Sequence, residues 1–472
     1  WPKHEIAGYA RLQYGLALFR QRDYRASARE FSLLIHTGGK SELVPQGLYW
    51  LGESRYWLEE YDEARKNFSS LLANWPRSEY AGDARYRTAF SWLRQDAFET
   101  ARTNFREFVA AWPRHPLVPD ALLKLGWLAQ RGGEYQVASE YYENIIKNFP
   151  RSGPVLAEAS FNAALCHYKL GNNSRAAELF SRVAGLQSTD EQKVLALKST
   201  GDVALVMGKP AEAMVAYERF IKTWPAHALA EEVWYWLGTA YMRTRKFEMA
   251  REAFLGMQRN FPKSGRMAEV VFLSGESALL MDQYTEALQD FSRVASEYRE
   301  SPFAPKALEA IAWSYYGMKQ YARAIDKYTE LVTLYPTAPE AEVGLYRRGV
   351  IQFNIKKSED ALASFEEQLR RFPAGVWAAE AVFQSGWIQY KLSKYDQAVV
   401  LFQRYADSWK TGNRLTDAFF WQGMSLYRQK KHDEAIGVFS RLATEHAGTA
   451  IAGRALVQSA LCSLAKKDAE DA

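Results

Sequence analysis

Covalent or metal chemistry would need a nucleophile beside a base, a cluster of ligands or a pair of facing carboxylates, and this 472-residue sequence offers few of these. Its seven histidines, His4, His36, His115, His167, His227, His432 and His446, are scattered, and no two stand at metal-ligand spacing on a helix. The paired acids Glu59-Glu60, Glu231-Glu232 and Glu366-Glu367 fall at helix boundaries or solvent-facing positions, where a solvated charge explains them better than acid–base catalysis. No glycine-rich phosphate loop or nucleophile elbow follows a strand pattern, because no strand pattern is present. An enzyme is not expected, nor is a bound cofactor or metal.

Charge and hydropathy narrow the class further. Sixty basic residues stand against 55 acidic ones, a net +5 dispersed without a Lys/Arg block, so nucleic acid is not an expected partner. Hydrophobic residues make up 48% and charged residues 24%, ordinary for a packed globular chain, and no apolar run approaches a membrane span. The sequence begins at Trp1 rather than Met, so an upstream segment is expected to have been removed; a signal peptide or lipid anchor there would leave no trace.

What the sequence supplies in quantity is aromatic and small residues on a period of 37. Gly52, Tyr61, Ala64, Phe68 and Pro76 return as Gly126, Tyr135, Ala138, Tyr142 and Pro150, then as Gly238, Phe247, Ala250, Phe254 and Pro262, and again around Gly349, Ala361, Phe365 and Pro373. A period of this size means a solenoid. After an N-terminal extension, 1–7, twelve units fill 8–452, with starts at 8, 45, 82, 119, 157, 194, 231, 268, 305, 342, 379 and 416. Residues 453–472 read as a capping helix or the start of a thirteenth unit, with Ala460 in the small-residue slot and Cys462 where the fifth unit has Cys166. At roughly 10 Å per packed helix, cysteines eight units apart cannot meet in one solenoid, so each reads as a small buried thiol.

The elements that must carry this pattern are helix pairs. Val233, Trp234, Leu237 and Tyr241 recur at helical spacing, a break follows at Thr244–Lys246, and Phe247, Ala250 and Phe254 resume the pattern. Aromatic-proline pairs such as Trp75-Pro76, Trp112-Pro113, Phe149-Pro150 and Phe372-Pro373 should end each second helix, since proline disfavours helix in the residue before it. Ser78, Ser152 and Ser264 are placed to cap or turn into the next helix.

The landmarks resemble the tetratricopeptide repeat over residues 8 to about 465, and Trp234 through Tyr241 is similar to its first helix. The extra residues relative to the commonest form fall at Pro150-Arg151-Ser152 and Pro262-Lys263-Ser264. That variant resembles repeats of bacterial envelope proteins: the lipoprotein partner of the β-barrel assembly machinery, and the periplasmic coordinator of the Tol-Pal system. The resemblance implies an all-α fold, a right-handed superhelical α-solenoid of about twelve antiparallel helix pairs plus a C-terminal helix. It also implies a bacterial periplasmic or outer-membrane-peripheral setting, with the cytoplasm left open.

In that family the first helices line a concave groove, and the resemblance implies that unit positions 2, 5, 9, 12 and 13 face into it. Position 9 carries Trp127, Trp313 and Trp387, each with ring area and an indole donor suited to a binding hot spot, although packing explains them equally well. Tyr235 at position 5, Tyr56 at position 12 and Trp57 at position 13 join them as candidates, though most aromatics at positions 5 and 12 are expected to pack between helices. Position 13 is also repeatedly basic, through Arg94, Arg131, Lys169, Arg243, Lys391 and Arg428. Such a ladder could hold an acidic peptide or a polyanionic glycan, and the same placement complements the helix dipole. The Lys and Asn clamp for a C-terminal carboxylate is absent, since position 9 is never Asn.

The expectation is a non-enzymatic scaffold binding proteins along the groove, within an envelope assembly for outer-membrane biogenesis, secretion, motility or division. Binding of anionic polysaccharide or peptidoglycan by the aromatic and basic wall is one alternative; a helical region of a larger multidomain protein is another. Peripheral or lipid-anchored membrane association stays open.

Overall fold

The computed structural model of the protein describes residues 5–38 and 41–470, so residues 1–4 of the expected extension and residues 471–472 of the tail lie outside the described residues. Among those residues the chain is all-α. It forms two compact units, the first through Ala240 and the second from Tyr241.

The first unit contains α1 (Glu5–Arg20), α2 (Tyr24–Gly38), α3 (Leu43–Trp57), α4 (Tyr61–Asn74), α5 (Ala81–Arg94), α6 (Phe98–Ala111), α7 (Val118–Arg131), α8 (Tyr135–Asn148), α9 (Pro154–Lys169), α10 (Asn173–Val183), α11 (Asp190–Val206) and α12 (Pro210–Thr223). The boundary falls within α13 (Ala230–Arg243). The second unit continues with α14 (Phe247–Asn260), α15 (Met267–Leu279), α16 (Tyr284–Glu297), α17 (Phe303–Gly317), α18 (Tyr321–Leu334), α19 (Pro339–Asn354), α20 (Ser358–Arg371), α21 (Ala378–Lys391), α22 (Tyr395–Ser408), α23 (Leu415–Arg428), α24 (His432–Glu445) and α25 (Ala450–Glu470). From α1 to α12, and again from α14 to α25, each helix packs on the next in the chain. Each expected repeat start lies near the beginning of an odd-numbered helix, and α1 already runs from Glu5.

One contact closes each helix pair. A glycine or alanine on the first helix leaves a gap that an aromatic ring sixteen residues later fills from the second. In the first unit Phe31, Phe68, Tyr142 and Tyr217 lie against Gly15, Gly52, Gly126 and Gly201. In the second, Phe291, Phe365, Phe402 and Phe439 lie against Gly275, Gly349, Gly386 and Gly423. All eight rings are fully buried. Each contributes about 1.5–3 kcal/mol of transfer free energy. The fit leaves no room: a Cβ at Gly349 would come within 2.7 Å of the Phe365 ring, and one at Gly423 within 2.6 Å of Phe439.

The second helices end where the aromatic-proline pairs predict. Trp75, Trp112 and Phe149 leave the helix at φ/ψ of −134/59°, −126/61° and −128/54°. Each still donates its own N–H to the carbonyl four residues back, Trp75 to Leu71 at 2.7 Å. Tyr298 and Trp409 adopt nearly the same angles with no proline after them, so packing of the ring also enforces the break. The serines that follow do not cap helices through their side chains. Ser78 and Ser264 instead accept from the N–H two residues on, at 3.3 and 3.1 Å, and Ser152 donates to the Phe149 carbonyl at 2.9 Å. The one side-chain capping box among the described helices is Thr189 with Gln192 at α11.

The turn inside each pair needs one residue in the left-handed region. Gly133, Gly171 and Gly208 supply it in three pairs, but Glu59, Asp96, Asp282, Lys319, Lys356 and Lys430 hold it without being glycine. A non-glycine residue there carries a backbone cost of roughly 1–2 kcal/mol. Lys356→Gly is therefore expected to raise stability by about 1 kcal/mol in urea unfolding. Gly349→Leu is expected to lower it by about 1–3 kcal/mol, because the Phe365 ring must leave its gap.

Candidate functional site

First helices of both units carry exposed or half-buried tryptophans, and a cation stands over the rings of Trp127, Trp313 and Trp387. Trp127 and Trp313 are exposed and Trp387 is half-buried. The Arg131 guanidinium lies 5.6 Å from the Trp127 ring centre and 4.4 Å from that of Phe98. Arg347 stands 4.4 Å from the Trp313 ring centre, and the Lys391 ammonium 4.6 Å from that of Trp387. Trp127 with Arg131, and Trp387 with Lys391, sit one helical turn apart, so helix geometry alone brings them together. Trp313 has Gly317 at that spacing, and its cation comes from the next pair.

The structure gathers Trp387, Lys391 and Arg428 into one cluster. Trp387 stacks on Tyr390 at 5.9 Å and meets Trp421 edge-on at 4.5 Å, and the Tyr390 hydroxyl raises the pKa of the nearby Arg428 guanidinium. Trp57 is exposed and stacks on Tyr24 at 5.8 Å. Tyr235 is half-buried beside Trp236. Tyr56 departs from the expectation: it is only 7% exposed, with its ring edge-on to Tyr61 and Phe90, and so offers no docking surface. Arg94, Lys169 and Arg243 are exposed at the ends of their helices, where the dipole favours a cation, and Arg94 also donates to the Tyr61 hydroxyl at 3.3 Å.

Sequence reasoning missed the arginines at unit position 6. Arg87 lies 2.8 Å from Glu53, an ionic contact that falls short of hydrogen-bond geometry, and its guanidinium is 5.5 Å from the Tyr56 ring centre. Arg347 donates a hydrogen bond to the Glu309 carboxylate while facing Trp313. A tyrosine precedes both, Tyr86 and Tyr346, and this Tyr-Arg dipeptide is the signal that marked them. Tyr86 donates in turn to Asp120. Around Arg87 an open cavity of about 660 Å³ is lined by Tyr49, Asp83, Tyr86, Asp120 and Lys124.

Other residues with chemical potential are occupied structurally. Cys166 and Cys462 are fully buried, and burial pushes the Cys166 thiol up to about 11. Glu367 is held by Arg348 at 2.7 Å and Arg371 at 2.9 Å, so it is an ion-pair partner rather than a solvated charge. Among the described residues no group of three or more His, Cys, Asp or Glu could hold a metal ion. No described helix is long and apolar enough to cross a membrane.

Helix pairs closed by a ring in a small-residue gap, presenting aromatic and cationic side chains from their first helices, define a helical-repeat interaction protein. A tetratricopeptide repeat profile matches residues 123–191, 199–265 and 383–450, and an outer membrane lipoprotein profile matches 41–122 and 264–360. The first three segments match the tetratricopeptide-repeat family, and the solved structures that resemble the chain include tetratricopeptide-repeat proteins. Such repeats are protein–protein interaction scaffolds, and their fold is typically non-catalytic. A search of curated proteins finds no significant match.

Similar solved structures include the C-terminal part of a tetratricopeptide repeat-containing protein from Cytophaga hutchinsonii, at 16% identity and TM-score 0.43 over 55% of this chain and 98% of that one. A tetratricopeptide repeat protein from Parabacteroides merdae matches at 16% identity and TM-score 0.35, covering 57% and 98%. The Cut9–Hcn1 structure matches at 14% identity and TM-score 0.30, covering 95% of each chain.

The buried Glu53 gives this face a pH signature. At 3% exposure its carboxyl is desolvated, which outweighs the attraction of Arg87 and pushes it up from 4.5 to about 7. A raised acid binds its proton more tightly in the folded state, so its contribution to stability is greatest below the unfolded value and declines as pH rises towards 7. Glu53→Gln should remove that decline, amounting to about 3 kcal/mol between pH 4.5 and 7; parallel denaturation of the two proteins across this range measures it.

Proposed function

We propose that this protein is a non-enzymatic scaffold that binds partner proteins along its first-helix face, within a bacterial cell-envelope assembly at the periplasmic side of the outer membrane. The observation that carries the reading is the row of accessible tryptophans, Trp57, Trp127 and Trp313 with the half-buried Trp387, on helices whose other faces are packed. A rigid indole with a cation over one face keeps its edge and N–H for a partner at little entropic cost. The exposed Arg131, Lys391 and Arg428 favour partner segments with acidic residues beside apolar ones. Several modest contacts repeated along one chain add up to useful avidity without a deep pocket. The envelope setting is supported by the outer membrane lipoprotein profile at 41–122 and 264–360.

The test is affinity purification from native cells after mild crosslinking, comparing the protein with a variant carrying Trp127→Ala, Trp313→Ala and Trp387→Ala. These side chains lie at the surface or only partly beneath it, so the variant is expected to keep its helical circular dichroism and to lose about tenfold or more of the captured partner. Equal capture by both proteins would refute the tryptophan face. Capture of anionic polysaccharide or peptidoglycan in place of protein would refute the protein-scaffold reading.

A further inference from the structure

Among the first helices, α5 and α7 alone carry a cation on both sides of an aromatic at one spacing: Arg87, Phe90 and Arg94 on the first, Lys124, Trp127 and Arg131 on the second. The two sets share one register in neighbouring repeats, and both lie in the first unit of the fold. On each helix one cation precedes the ring by three residues and the other follows it by four, so all three share a face. Elsewhere one end is lost: α21 has Gln384, Trp387 and Lys391 in this register, and α19 has Arg347, Val350 and Asn354.

These cations largely lack acids of their own. Lys124 is half-buried and its ammonium reaches back to 5.9 Å from the Phe90 ring centre, which joins the two rows. Asp120 stands one turn before Lys124 but accepts from Tyr86, and Asp83 faces His115 at 3.7 Å. Arg94 and Arg131 are exposed and engage aromatic groups, Arg94 the Tyr61 hydroxyl and Arg131 the rings of Phe98 and Trp127. Among the described residues none of Lys124, Arg94 and Arg131 forms an ion pair. Arg87 does face Glu53, whose carboxyl, pushed up to about 7 by burial, cancels that charge only in part near neutral pH. Arg87, Phe90 and Lys124 also line the open cavity of about 660 Å³, whose apolar wall includes Leu117 and Val155. The patch therefore has positive charge at both ends and accessible ring surface between them.

Spacing decides what form of partner fits. Seven helical residues rise about 10.5 Å, so a partner helix with acids seven residues apart matches the distance between the cations and holds an apolar side chain between them on the same face. An extended segment does not, because its side chains recur on one face at about 6.7 or 13 Å. We propose that the patch on α5 and α7 receives a helical segment of a partner protein that bears two carboxylates two turns apart, one on each side of a large apolar residue. This rests on the reading that partners meet the first-helix face, and it adds the conformation and charge pattern of the segment that docks there.

The probe is a labelled, alanine-rich helical peptide with two glutamates seven residues apart and a phenylalanine between them, titrated into the 472-residue protein at low ionic strength and followed by fluorescence anisotropy. It should bind about tenfold more tightly than the same peptide with glutamines, or with one glutamate moved to the opposite helix face. Lys124→Gln with Arg131→Gln should abolish that preference and leave the glutamine peptide's affinity unchanged. Both side chains are at least partly exposed, so circular dichroism should be unaltered; Arg87 is kept, since its loss would strand the buried Glu53. Equal affinity for the peptides, a preference that survives in the variant, or no binding of the glutamate peptide below about 1 mM would each overturn the proposal. Binding that ignores the glutamates but weakens with Trp127→Ala would overturn it while leaving the first-helix reading in place, and binding that ignores both the charges and Trp127 would count against the two together.

Discussion

A ring pressed into the gap left by a missing side chain is the contact on which this structure depends. Each aromatic of the Phe365 or Tyr142 type reaches a glycine or alanine sixteen residues earlier, and that fixed spacing sets the length of the turn and the register of the two helices. Because the ring is fully buried and the backbone opposite lies in direct contact, the pair has one close approach rather than a range of them. The turn then accepts a left-handed residue even where that residue is lysine or aspartate, as at Lys356 and Asp282. The packing gain of about 1.5–3 kcal/mol per ring is enough to offset a backbone cost of similar size.

Once the pairs are closed, the rest of the first helix is free to vary. Its packed positions hold tyrosines and phenylalanines such as Tyr86 and Phe383, while Trp127 and Trp313 reach the surface. The cations over these rings are not spare charges. Arg347 is fixed by Glu309, and Arg131 spans Phe98 and Trp127, so the face is a set of preordered aromatic and cationic units instead of a flexible basic strip. Preordering of this kind lowers the entropy lost on binding a partner.

The fold was legible in the sequence because the ring and its gap recur in phase. Gly126 with Tyr142 and Gly349 with Phe365 announce helix pairs wherever they stand, and the prolines after Trp75 and Phe149 announce the helix ends. The site was legible only in part. The family pattern of inward positions does not distinguish a ring that packs from one that projects, and so Tyr56 and Trp57, adjacent in sequence, have opposite fates: one lies among Tyr61 and Phe90, the other faces solvent. Arg87 and Arg347 escaped notice because their partners Glu53 and Glu309 come from the preceding pair, a contact that no local spacing encodes. Ser78 and Ser264 stand where caps are common, yet their hydroxyls serve the turn two residues on.

The central claim is that partners meet the first-helix face, and site-specific photo-crosslinking tests it most directly. A photoreactive residue would replace Arg131 or Lys391, at the ends of first helices, and in parallel Val215 or Val400, exposed on the second helices α12 and α22. Irradiation of native cells should give defined protein adducts from the Arg131 and Lys391 positions and none from the two valine positions. Adducts formed only from Val215 and Val400 would contradict the account and move the binding surface to the second helices.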